Sequence, residues 1–368
     1  MFPHLLPGLS DLHIVFNLFN YLTFRSAGAG VTALVIALWA GPATIRRLRA
    51  LRVGQVVRTD GPRTHLQKSG TPTMGGVLIV LSATVSTLLW AQLLNWYVAL
   101  CLLSLVWMGA IGFMDDWLKV VRNRSRGLIA RYKMVGQLSF GLGLGLFLVL
   151  VPIHPVPGTW TMVPFFDNWV AAFWPPAYVL FVSLVVSGSS NAVNLTDGLD
   201  GLAAGLSAVA FVTFGVFAYL IGRVDTSAYL GLFYLPGTGE LAVFAAALAG
   251  GCIGFLWYNA HPAQVFMGDT GSLALGGALA VMAILLKAEF LLLIVGAVFV
   301  AEAFSVMLQV GWFKYTRRVR GEGQRLLRMA PLHHHFEKKG WRETTVVVRF
   351  WILGILAALL AFSTLKIR

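Results

Sequence analysis

The chain has 368 residues, 58% of them hydrophobic and only 12% charged. A soluble domain carries about 25% charged residues, so the composition excludes a cytosolic enzyme, a disordered chain and a disulfide scaffold. The 28 Lys+Arg against 15 Asp+Glu leave a net charge of +13, but the basic residues are gathered into a few connectors, and no nucleic-acid partner is expected.

The first 24 residues hold an apolar patch, Ile14 to Phe24, with no Lys or Arg before Arg25. A cleaved signal peptide needs a basic leading region, so this segment reads as an interfacial helix. A membrane span takes about 20 mostly apolar residues. Ten segments qualify: 26–45, 74–94, 96–114, 134–152, 172–188, 201–221, 239–257, 270–287, 290–312 and 346–364. The pattern predicts an all-α polytopic membrane protein, a single domain over 1–368. Cys101 and Cys252 both fall in apolar stretches and read as reduced and lipid-buried.

The connectors alternate in character. Residues 46–73 hold seven Lys/Arg, 115–133 hold six and 314–349 hold ten, which is 23 of the 28. The opposite connectors, 153–171, 222–238 and 288–289, hold only Arg223, with Lys287 at the edge. Basic loops stay in the cytoplasm, so ten spans leave both termini on the periplasmic or outer side. The segment 153–171, with Pro155, Pro157 and Pro164, suits a small hairpin or cap.

Carboxylates are scarce, and their placement is informative. Asp115 and Asp116 end the third span, Asp197 and Asp200 lie between the fifth and sixth, and Asp269 opens the eighth. By parity all five fall at the cytoplasmic ends. A conduction path would thread charges through the membrane depth; this pattern reads as a catalytic face at the water–lipid boundary. Adjacent carboxylates suit a hard cation such as Mg²⁺, which takes one or two carboxylates and completes its shell with water and phosphate oxygens.

Asn191, Asn194, Asp197 and Asp200 recur every three residues, with Gly198 and Gly201 favouring a turn at the end of that run. Capping accounts for one or two of them; four suit a nucleoside or sugar. Lys68 precedes Gly75-Gly76, and Lys119, Arg122, Arg126, Arg131 and Lys133 follow the aspartate pair. Most of these basic residues set topology, and a few near the aspartates are placed to hold phosphate oxygens. No Walker-type or dinucleotide-binding glycine motif is present. Three consecutive histidines, His333 to His335, cannot all reach one metal from a regular helix, so phosphate binding or proton handling is expected of them. His65, His154 and His261 are lone residues that read as structural, and Glu302 sits inside the ninth span, where it requires a partner.

Five motifs together carry a resemblance: Thr71-Pro-Thr-Met-Gly-Gly76, Gly112-Phe-Met-Asp-Asp116, Asn191 to Gly201, Phe266 to Ser272, and Pro331-Leu-His-His-His-Phe336. The chain resembles the phospho-N-acetylmuramoyl-pentapeptide-transferase (translocase I) family, within the polyprenyl-phosphate N-acetylhexosamine-1-phosphate transferase superfamily, over essentially its whole length. The resemblance implies a multi-pass protein of the bacterial inner membrane, with ten spans, both termini outside and the site on the cytoplasmic face. It implies transfer of phospho-MurNAc-pentapeptide from UDP-MurNAc-pentapeptide to undecaprenyl phosphate, giving lipid I and UMP with Mg²⁺, by a protein that is typically a homodimer.

Carried over by motif, Asp115, Asp116, Asp269 and His333 are the catalytic group, with Asp116 and Asp269 on the metal. Asp115 is either the base for the lipid phosphate or an attacking carboxylate in a two-step route. Asn191, Asn194, Asp197, Gly198 and Asp200 are expected on the nucleoside side, with Phe266 stacked on uracil, and Asn259 among the substrate-binding residues. Lys68, Thr73, Lys119 and Lys133 are expected to contact nucleotide or phosphates, and His334 and His335 to line the site. A sister enzyme transferring GlcNAc-1-phosphate shares the aspartate motifs, and the 71–76 and 331–336 blocks argue against it. A transporter would place charges at mid-membrane in paired broken halves, and only Glu302 lies at depth.

Overall fold

The computed structural model describes residues 1–11, 13–51, 70–121, 128–166 and 169–366. In lipid every backbone amide and carbonyl must be satisfied within the protein, and the described chain answers with helices. In order they are α1 (Phe2–Leu5), α2 (Leu22–Ala50), α3 (Gly76–Trp90), α4 (Trp96–Val121), α5 (Ala130–Leu150), α6 (Pro175–Thr196), α7 (Leu202–Ile221) and α8 (Val224–Leu230). There follow α9 (Glu240–Asn259), α10 (Gly268–Leu285), α11 (Glu289–Val295), α12 (Ala297–Arg320), α13 (Leu332–Lys338) and α14 (Glu343–Ser363). Between α5 and α6 lies an antiparallel pair, β1 (Trp160–Met162) with β2 (Val170–Ala172), which is the hairpin expected in 153–171.

Nine described helices are long and apolar enough to cross a membrane. The expected span 74–94 is realised as α3, of only 15 residues. Its start is fixed by Gly75 and Gly76, whose amides donate to the carbonyls of Phe266 and Met267 at 2.8 Å. Its end is fixed at Ala91, which turns extended, and Gln92 then donates its amide to the Glu240 carboxylate at 2.9 Å. The expected span 290–312 differs more. It is broken at Gly296 into α11 and α12, and α12 continues to Arg320. Ahead of α2 the described residues form α1 and two 3-10 turns, Pro7–Leu9 and Ile14–Asn20, rather than one interfacial helix.

The bundle has an inside and an outside. A helix that is apolar all round is buried, and α10 is the clearest case: every residue from Thr270 to Leu285 is buried. α9 and α7 also bury most of their length, packed against each other, while α10 lies against α4 and α6. α2, α5, α12 and α14 present large apolar side chains outward, among them Trp39, Leu150, Met307 and Ile352, as lipid-facing helices do. At the end bearing the hairpin, Arg25 of α2 donates two hydrogen bonds to Glu240 of α9, at 2.6 and 2.7 Å, with both side chains buried. At the same end the buried ammonium of Lys287 donates to the carbonyl of Gly158, tying the hairpin segment to the turn after α10. The opposite end gathers the finish of α4, α6 and α9 with the starts of α3, α5, α7, α10 and α14, and the aspartates lie there.

Candidate active site

The site begins with one close approach. Gly112 of α4 packs on the backbone of Asp269 and Thr270, where a Cβ would collide with the Asp269 carbonyl. The last turns of α4 thus lie directly on the first turn of α10. The first four amides of a helix lack partners of their own. Asp116 supplies them from α4: its carboxylate accepts from the amides of Asp269 at 3.2 Å and Thr270 at 2.9 Å, and from the Thr270 hydroxyl at 2.8 Å. Gly268, just before, has φ +73°, a conformation that disfavours a side chain, and a Cβ on it would crowd Asp116 and Thr73.

Asp115, also buried, accepts the amide of Leu128 at 2.7 Å. The carboxylates of Asp115, Asp116 and Asp269 each offer an oxygen within 4.8 Å of the others. Two ammonium groups stand among them. Lys119 lies 2.5 Å from Asp115 and 3.1 Å from Asp269, and Lys133 lies 3.1 Å from Asp115 and 2.5 Å from Asp269. Three carboxylates against two lysines leave one negative charge in excess. Hard oxygen donors at this spacing, in net anionic surroundings, fit Mg²⁺.

The run that began at Asn191 divides. Asn191 and Asn194 are on α6, while Asp197 ends it and Asp200 lies in the following turn. Asn194 accepts from Ser272 of α10 at 2.8 Å. Asp197 reaches the aspartate cluster. Its carboxyl is pushed up to about 8 by burial first and then by the charges of Asp269 and Asp116, against a hydrogen bond from the Gly268 amide. Asn191 turns to α5 instead, donating to Gln137 at 2.7 Å and to its own helix at Ser187.

Asp200 and Asn259 are brought to a neighbouring knot rather than to the aspartate triad. Asn259 is buried, accepting the Gly201 amide at 3.0 Å and donating to the Val265 carbonyl at 2.9 Å. Asp200 accepts from the Ala263 amide at 3.2 Å and faces His261 Nδ1 at 3.0 Å, while Glu343 accepts the Asp200 amide at 2.9 Å. His261, read from sequence as a lone structural histidine, therefore bridges two carboxylates.

Phe266 pairs by backbone with Pro72 and Gly75, which holds the 72–76 segment and Thr73 against the start of α10. Lys68 lies outside the described residues. The three histidines on α13 diverge. His333 is buried against Glu302, His334 Nδ1 lies 2.7 Å from Glu337, and His335 accepts the Arg328 amide at 3.1 Å. Desolvation, then the charges of Lys339 and Arg328, hold His335 below the usual histidine range. Gly198 packs against the His333 ring, where a Cβ would strike Nε2. The partner that Glu302 requires is thus His333. Thr270 was not singled out from sequence, because its hydroxyl donates to a carboxylate on another helix, which no local pattern marks.

The family model described as Glycosyl transferase family 4 matches residues 96–287, and one described as phospho-N-acetylmuramoyl-pentapeptide-transferase signature 1 matches residues 68–80. Three similar chains carry the name phospho-N-acetylmuramoyl-pentapeptide-transferase. One, from Gemmatimonas aurantiaca, is 58% identical over 366 residues, covering 96% of each chain. Another, from Desulfotalea psychrophila, is 52% identical over 368 residues, covering 100% of both. A third, from Geobacter sp. (strain M21), is 51% identical over 368 residues, again covering 100% of both.

Proposed function

The chain belongs to the phospho-N-acetylmuramoyl-pentapeptide-transferase family, and on that premise we propose that it moves phospho-MurNAc-pentapeptide from UDP-MurNAc-pentapeptide to undecaprenyl phosphate. The products are lipid I and UMP, and the step belongs to peptidoglycan synthesis. The protein is a multi-pass bacterial membrane protein; in this reading its aspartates face the cytoplasm, both termini lie outside, the whole chain is one transferase domain, and it works as a homodimer.

One observation carries the reading. Asp115, Asp116 and Asp269 converge from two helices with Lys119 and Lys133 among them, at the end of the bundle opposite the hairpin. Phosphoryl transfer is mostly positioning and charge neutralisation, and this cluster offers both. Asp116 and Asp269 would hold Mg²⁺, which when bound supplies positive charge to the pyrophosphate. Lys119 and Lys133 hold phosphate oxygens of donor and acceptor. Asp115 acts at the acceptor, as base or as attacking carboxylate. Asp197, with Asn194 and Gly198, lies on the nucleoside side with Phe266, and Lys68 and Thr73 meet the phosphates. Asp200, Asn259 and Asn191 shape that side through the contacts described above, and His333, with His334 and His335, lines it.

The test follows UMP release by purified protein in detergent with UDP-MurNAc-pentapeptide, undecaprenyl phosphate and Mg²⁺. UMP from this donor, abolished by EDTA, supports the reading. UMP from UDP-GlcNAc instead would move the chain to the sister activity, and none from either, in folded protein, would refute transfer altogether.

A further inference from the structure

We propose that Glu302 is a positioning residue, holding the His333 imidazole with Nδ1 toward its carboxylate and Nε2 toward the Asp197–Gly198 turn, ready for a substrate O–H. This rests on the reading of His333 as part of the active site.

Glu302 lies on α12 inside a membrane-crossing helix and is fully buried. A carboxylate in that setting is costly unless paired. Its Oε1 accepts the amide of His333 at 3.1 Å and stands 3.1 Å from the ring Nδ1. The ring is held on its other sides as well. Gly198 lies against Nε2 with no room for a Cβ, and the His334 ring meets it edge-on with centroids 4.2 Å apart. A carboxylate beside one imidazole nitrogen keeps the proton there and leaves the other nitrogen basic. Among the described residues neither buried ring nitrogen makes a hydrogen bond: Nδ1 meets the Glu302 carboxylate as a close polar contact, and Nε2 has no partner. A buried polar nitrogen is normally satisfied, and the next residue to Gly198 is Asp197, which reaches the aspartate cluster. Nε2 is therefore the one unused acceptor on the ring, and because it is buried against Gly198, a hydroxyl or protonated phosphate of the substrate reaches it only by displacing the Asp197–Gly198 turn.

A merely structural Glu302 would cap the first turn of α13 through the His333 amide, and glutamine would do that equally well. The two roles separate in E302Q, which keeps the shape and the carbonyl acceptor but removes the charge at Nδ1. UMP release by full-length protein is measured for E302Q, E302D, H333N and E302Q/H333N, alongside thermal unfolding in detergent. The expected result is an E302Q melting temperature near wild type, kcat down by at least about tenfold, and KM for the UDP donor changed by less than about twofold. E302D, which keeps the charge, recovers part of the loss, and the double variant is no slower than H333N. E302Q with wild-type kcat, or losses that multiply in the double variant, would overturn the proposal. If E302Q does not fold, E302D takes its place: a kcat loss absorbed by H333N supports the role, and an independent loss overturns it. Wild-type kcat in H333N sinks the underlying reading of His333, and the proposal with it.

Discussion

Asp116 and Thr270 are 154 residues apart in sequence, yet the aspartate takes both the amide and the hydroxyl of the threonine, at 2.9 and 2.8 Å. A side chain of α4 thus caps α10, and the register between the two helices is set by a residue also proposed to hold the cation. In that proposal fold and chemistry share one carboxylate. Replacing Thr270 with Val removes the hydroxyl bond alone, and should lower stability by about 1 kcal/mol and weaken Mg²⁺ binding. Asp116→Ala also exposes the amides and should cost about 1–2 kcal/mol more. Thermal unfolding in detergent measures both, and an unshifted melting temperature in the two variants would contradict the cap.

Lys119 and Lys133 stand against the same oxygens that a cation needs. Two like charges about 4 Å apart repel by about 4 kcal/mol near a protein surface. K119Q and K133Q should therefore bind Mn²⁺ more tightly than wild type in the absence of substrate, by about tenfold or more, while turning over more slowly. Electron paramagnetic resonance of free Mn²⁺ gives the binding directly. Weaker binding in both variants would mean that the lysines assist the cation rather than stand in for it.

Gly198 gives a test of where His333 lies. A methyl group at this position meets the His333 ring, so G198A should shift the imidazole without changing the chemistry of any side chain. Misplacement of a reacting group by about 1 Å can cost about 100-fold in rate, and a fall of at least tenfold in kcat is expected. Unchanged kcat in G198A would place the ring outside the reaction.

How much of this was legible in sequence depends on the range of the interaction. The bilayer imposes a length on apolar runs, so the spans were readable, and clustered basic residues marked one set of ends. The turn after Asn194 was readable from Gly198 and Gly201, because glycine and Asn/Asp stop a helix locally. The break at Gly296 was not, since the apolar run continues across it. Nor was the pairing of Glu302 with His333, 31 residues apart, or the bridge from His261 to Asp200 and Glu343. Those depend on which helices lie side by side, and apolar periodicity does not say. Asn259, expected among the substrate-binding residues, has an amide that links Gly201 to Val265, a pairing that apolar periodicity does not show either.

His154 predicts a pH dependence remote from the chemistry. Burial, and then the charge of Lys287, push it down to about 3, so the folded protein keeps it neutral. Between pH 6.5 and 3 the unfolded chain binds a proton that the folded chain does not, so stability is full above 6.5 and falls as the pH drops. The loss reaches about 2 kcal/mol at pH 5. Thermal unfolding across pH 4–7 should show this slope in wild type and a flatter one in H154Q. Equal slopes would exclude His154 as the source.

Arg25 and Glu240 make a bidentate pair with both groups buried. Removing one member strands the other, at a cost of about 3–5 kcal/mol. R25A and E240A should both melt well below wild type, and the double variant should melt above either single one. A double variant as unstable as the sum of the two would show that the pair is not coupled.

The complete burial of α10 from Thr270 to Leu285 has a consequence for the membrane around it. Helices in contact with lipid tilt when the bilayer is thinner or thicker than their apolar length. In this bundle that adjustment falls to the helices whose side chains face outward, α2, α5, α12 and α14 among them. α10 is held only by protein, so the height of Asp269 is referenced to its neighbouring helices and not to the acyl chains. In the proposed reaction, changing acyl-chain length would therefore move the lipid phosphate relative to the aspartates while the aspartates keep their mutual distances.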